Sequence, residues 1–76
     1  MSETAMITFL FEGRQRVANA CEIQGRFEHT FYVVMDDGYE NNFFTTFENP
    51  YSWYEQSIGY TDLAQAVGRA IERTFF

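Results

Sequence analysis

Lysine is absent from the chain, and five arginines stand against eleven acids, for a formal net charge of −6. Affinity for nucleic acid comes largely from neutralising phosphates, so DNA and RNA are not expected partners. An anionic membrane surface is disfavoured on the same ground. There is one cysteine, Cys21, so no intrachain disulfide can form, and with the single histidine, His29, it provides no spacing for a structural zinc site. No apolar run approaches the ~20 residues of a transmembrane helix. The opening residues, MSETAMITFLFEGR, lack a basic n-region and a small-residue cleavage site. The cytoplasm is then the simplest location, where a lone reduced cysteine is ordinary. Neither GxGxxG nor GKS/T occurs, and no cofactor is expected.

These absences leave a stability problem. A chain of this length buries only roughly 60% of its unfolded surface. Small domains usually add a disulfide, a metal or a second copy of themselves. The first two are missing here. Aromatic burial is one remaining resource, from nine Phe, five Tyr and one Trp. Self-association is the other.

Residues 1–5 are polar or small and read as a disordered start, followed by one domain over 6–76. Four strand-like runs are expected: Met6 to Glu12, Arg16 to Gln24, Phe27 to Met35 and Tyr39 to Glu48. Gly13, Gly25 and Gly38 punctuate them. The turn Asp36-Asp37-Gly38 is read as a three-residue loop because that register stacks Met35 on Tyr39, Phe31 on Phe43 and Phe27 on Phe47. The same argument selects three-residue loops at 24–26 and 13–15. The core face would then hold Ile7, Phe9, Phe11, Val17, Cys21, Ile23, Phe27, Phe31, Val33, Met35, Tyr39, Phe43 and Phe47. A helix is expected from Asp62 to about Thr74, capped by Thr61, with Leu63, Val67, Ile71 and Phe75 recurring every four residues. Gly68 within it points to a close approach by another backbone. The fold class is therefore α+β: a four-stranded antiparallel β-meander, with room for a short fifth strand near 53–56, and one C-terminal α-helix packed on one face.

Candidate chemistry is thin. In the expected register Cys21 faces His29, the arrangement of a nucleophilic dyad. No third orienting group accompanies it, and a buried free cysteine is usually inert. DDGYENN, residues 36–42, has adjacent rather than alternating acids, which suits a hairpin tip better than a calcium loop. No acid, base and nucleophile stand in a recognisable frame, so no enzyme is expected.

The informative surface is the outer face of the sheet. Its middle should carry Leu10, Ala18, Tyr32, Val34 and Phe44, an apolar band that a fully solvated face would not contain. The segment NPYSWYEQSIGY, residues 49–60, adds Tyr51, Trp53, Tyr54 and Tyr60 on the path from the fourth strand to the helix. It either closes the protein's own core or offers a platform, and the two readings make opposite demands on the exposure of Trp53. The candidate interaction surface is thus Leu10, Tyr32, Val34, Phe44, Tyr51, Trp53, Tyr54 and Tyr60. A β-β-β-β-α order is common to many unrelated domains and names no function. The expected function is a non-catalytic protein–protein interaction module that self-associates, as a homodimer or with another protein. The alternatives are an acidic inhibitor or nucleic-acid mimic seated in a basic groove, and a small-ligand binder using 51–60. A small-molecule ligand ranks below a protein partner.

Overall fold

Strand, turn and helix signals alternate along the chain in the order in which the elements form. The computed structural model describes residues 4–23, 28–46 and 52–76. Within them run β1 (Thr4–Phe11), β2 (Arg14–Ile23), β3 (Glu28–Met35), β4 (Glu40–Thr46), β5 (Tyr54–Glu55), β6 (Gly59–Tyr60) and α1 (Asp62–Phe75). The strands form one antiparallel sheet in sequence order, β1 to β6, with α1 on one face. The fold is α+β as expected, and β5 falls within the short fifth strand allowed near 53–56; the sheet has six strands rather than four because 54–60 folds back as a further hairpin that adds β6. β1 begins at Thr4, two residues before its expected start. None of the described helix is long and apolar enough to cross a membrane.

The helix follows its local signals. The Thr61 hydroxyl accepts from the Ala64 N–H at 2.9 Å, Asp62 occupies the first turn and Arg73 the last. β3 and β4 pair in the expected register, with Phe31 opposite Phe43 and a turn at 36–38 that places Gly38 at φ 91°. The aromatic stack and the left-handed glycine agree, so one register satisfies both.

β2 is the correction. The β1–β2 turn is the dipeptide Glu12-Gly13, with φ 53° and 76°, not a three-residue loop at 13–15. Both residues take the left-handed conformation of a type I′ turn, whose twist matches that of the flanking strands. Phe11 therefore lies opposite Arg14, and Ile7 opposite Ala18. On the other side Ala20 lies opposite Val33 and Cys21 opposite Tyr32, a slide of three from the expected pairing of Cys21 with His29. Odd slides exchange the two faces of a strand. Ala18 and Ala20 enter the core at 3% and 0% exposure, while Val17, Cys21 and Ile23 go to the outer face. The physical reason is volume. Phe31, Phe43 and Trp53 already fill the space between sheet and helix, and alanine lets the layers approach.

The core lies between sheet and helix: Ile7, Phe9, Ala18, Ala20, Phe31, Val33, Met35, Phe43, Trp53, Ala64, Val67, Ala70 and Ile71. Phe11 and Phe75 pack at its margin. Tyr39, expected in the core, is 38% exposed because its hydroxyl turns to Glu55. Phe27 and Phe47, also expected there, lie outside the described residues.

Candidate functional site: the outer sheet face

Trp53 divides the aromatic segment. Its side chain is fully buried on the helix side, so it is a core residue and not part of the interaction surface on which the sequence placed it. Its N–H donates to Gln65 Oε1 at 3.0 Å, and its carbonyl accepts from Gln65 Nε2 at 2.6 Å. Gln65 thus satisfies both backbone groups of a residue that precedes the short β5 strand. The indole Nε1 donates to Glu72 Oε2 at 2.9 Å, completing the satisfaction of a buried tryptophan. The indole packs on Gly68, so the close neighbour that this glycine admits is a ring, not another backbone.

A strand alternates its side chains, so the residue after Trp53 points the other way. Tyr54 lies on the outer face, opposite Phe44 on β4 and Tyr60 on β6. The ring centroids are 5.5 Å apart for Phe44–Tyr54 and 6.3 Å for Tyr54–Tyr60. Thr30 and Ile23 continue this row across β3 and β2. A second row runs Thr4, Cys21, Tyr32 and Asn42, and a third Met6, Asn19, Val34 and Glu40. Tyr32, Val34, Phe44 and Tyr54 are half-buried among their neighbours, whereas Leu10 and Tyr60 stand 71% and 63% exposed. The structure therefore brings Leu10, Tyr32, Val34, Phe44, Tyr54 and Tyr60 onto one face. Tyr51 lies outside the described residues. Sequence reasoning missed Met6, Val17, Cys21 and Ile23 on this face; the signal was the Glu12-Gly13 dipeptide, which reads more weakly as a type I′ turn than Asn-Gly or Asp-Gly.

Among the described side chains of this face, Glu40 carries the one formal charge. Its nearby carboxylate holds the Tyr32 phenol pKa above its usual value. Asp36, Asp37, Glu55 and Glu72 lie elsewhere. Asp36 and Asp37 clasp Arg16 at one end of the sheet, at 2.7 and 3.1 Å. The Arg16 hydrogen bond holds the Asp36 carboxyl below the usual carboxylate range. Glu72 pairs with Arg69 on the helix at 2.9 Å. Glu55, 4% exposed, accepts from the Tyr39 and Thr61 hydroxyls, both at 2.5 Å. It ties the β3–β4 turn to the helix cap, and its hydrogen bond raises the Tyr39 pKa.

The remaining candidates come apart. Cys21 lies on the outer face and His29 on the helix side, with its ring 5.1 Å from that of Phe76, so the two cannot form a dyad. Among the described residues no three His, Cys, Asp or Glu side chains gather to hold a metal ion. A depression at the sheet end, lined by Phe11, Met35, Tyr39 and Leu63, is rimmed by the Arg16 that Asp36 and Asp37 already engage. Comparison of the chain with protein-family models, with curated proteins and with solved structures finds no match.

Proposed function

We propose that the protein is a non-catalytic interaction module that self-associates through the outer face of its sheet. The observation that carries this reading is the face itself: aromatic and aliphatic residues interspersed with uncharged threonine and asparagine, whose described side chains include one charge, in a molecule of net charge −6. Asp36 and Asp37 sit at the sheet end, Glu72 on the helix and Glu55 in the interior. At physiological salt the Debye length is about 8 Å, which screens what repulsion remains across a sandwich with sheets ~10 Å apart.

Area supports a second copy as occupant. Strands ~4.8 Å apart, rising ~3.4 Å per residue, give this face roughly 600 Å² in projection. Side-chain relief raises the accessible area towards the ~800 Å² that each partner contributes to a standard interface. Self-complementarity comes from pairing like with like about a two-fold axis. The dispersal of the acids favours this reading over mimicry of nucleic acid, which needs them on one surface. The packing of Trp53 against Gly68 favours it over a ligand site built on that indole.

Sedimentation equilibrium from micromolar concentrations upward tests the proposal. Association is expected, and Tyr32→Arg on the half-buried centre of the face should weaken it at least tenfold. A wild-type protein that stays monomeric throughout would overturn the reading.

A further inference from the structure

Among the described residues β1 is one of the two edges of the sheet, and the direction of Thr8 defines that edge. Val17 lies opposite Thr8. It commits both backbone groups to Asp36, its N–H donating to Oδ2 at 3.3 Å and its carbonyl accepting from the Asp36 N–H at 3.0 Å. Thr8 and Val17 are therefore a non-hydrogen-bonded pair, and the N–H and C=O of Thr8 point away from the sheet. The Arg73 guanidinium meets the Thr8 carbonyl there, at 3.1 Å. By the period of two, Met6 and Leu10 turn their backbone groups to the same open edge, with side chains 65% and 71% exposed.

β1 spans eight residues, TAMITFLF, without a charge, a proline or a positive-φ residue. Native edges are usually short, charged, bulged or covered. Among the described residues, Arg73 is the side chain that the structure hydrogen-bonds to this edge. We propose that the β1 edge pairs with β1 of a second copy, antiparallel about a two-fold axis at Thr8, so that the sheet continues from one protomer into its partner. This inference rests on the self-association reading and adds a second surface to it.

The hydrophobic pattern selects the axis. An axis at Ile7 would set Met6 against Thr8 and Thr4 against Leu10, apolar beside polar. An axis at Thr8 sets Met6 against Leu10 and Thr8 against Thr8 on the outer face, and Ile7 against Phe9 on the inner. Like pairs of this kind stabilise cross-strand contacts. The edge-facing pairs then exchange two backbone hydrogen bonds each, and the partner's Thr8 N–H replaces Arg73 at the Thr8 carbonyl.

Charge is complementary too. An axis normal to the sheet keeps both helices on one side and makes them antiparallel. The flank of α1 that carries Arg73 also carries Asp62, Ala66 and Arg69 by helical spacing, acid at one end and bases at the other. An antiparallel copy directs the acidic end of each flank towards the basic end of the other.

The test joins amide hydrogen exchange to sedimentation. Among the described residues the Met6, Thr8 and Leu10 amides face no partner strand, so pairing should slow their exchange at least tenfold as concentration rises. Thr8→Pro removes an N–H that the β1–β2 ladder does not use, and should halve the assembly size or raise its dissociation constant at least tenfold while Trp53 emission stays blue. Fast exchange at these three amides in an associated protein overturns the edge pairing. If Tyr32→Arg then dissociates that protein, the face reading stands alone. Protection that survives Tyr32→Arg and vanishes in Thr8→Pro supports the edge and overturns the face. A monomer at every concentration overturns both.

Discussion

Gly68 sits against the Trp53 indole so closely that a β-carbon on it would lie 2.1 Å from Trp53 Cγ. This one contact sets the separation of helix and sheet at the centre of the core. Helix propensity alone says that Gly68→Ala should gain ~1 kcal/mol. Overpacking a filled core costs typically 1–3 kcal/mol, and at 2.1 Å something must move. Gly68→Ala is expected to destabilise the protein by about 1–3 kcal/mol, read as a lower urea midpoint with an unchanged slope. A stabilised variant would mean that the indole has room to retreat.

Trp53 itself should emit blue-shifted fluorescence at every protein concentration, because its burial is complete within one chain. Truncation by Trp53→Ala removes the ring and leaves Glu72 without its indole donor. The expected loss is about 3–5 kcal/mol. Emission that shifts to the blue only as concentration rises would show instead that a second chain buries the ring.

Glu55 provides a different lever. Its carboxylate accepts two hydroxyls, from Tyr39 and Thr61, in a setting that excludes water. Glu55→Gln replaces one acceptor oxygen with a donor facing a donor, and should cost about 1–3 kcal/mol by chemical denaturation. The Tyr39 pKa is raised by its hydrogen bond to Glu55. A folded-state pKa above the unfolded value of about 10 contributes stability that is fully present below it and is lost as pH rises through the folded value. Wild type should therefore lose stability in alkali more steeply than Tyr39→Phe, as measured by denaturant midpoints taken above pH 9 or so.

Asp36 governs the acid side. Its hydrogen bond from Arg16 lowers its pKa, so its contribution is present above the unfolded value of about 3.9 and is lost as pH falls through the lower folded one. Asp36→Asn should lower stability at neutral and alkaline pH, where the ionised carboxylate contributes, and flatten the profile below about pH 4, as denaturant midpoints across pH would show. High salt should diminish the difference, since the pair is exposed.

The outer face was partly legible from residue pattern alone. Leu10, Tyr32, Val34 and Phe44 alternate against well-marked core residues, so period-two reasoning places them correctly. Tyr54 and Tyr60 belong with them only because 54–60 folds into a hairpin, which four hydrogen-bonding strand residues barely announce in sequence. Glu55 left no signal, since nothing local distinguishes a buried acid from a solvated one.

Two things were determined by sequence itself. Thr61, Asp62 and the four-residue apolar repeat specify α1 locally, because capping and helical periodicity act within a few residues. Paired aromatics and Gly38 specify the β3–β4 register, because a short turn leaves few ways to align the strands. Only the tertiary structure decided the face of β2, the direction of Trp53 and the neighbour of Gly68. Each depends on how much volume lies between sheet and helix. That volume is set by residues far apart in the chain, and the alternation of one strand carries no measure of it.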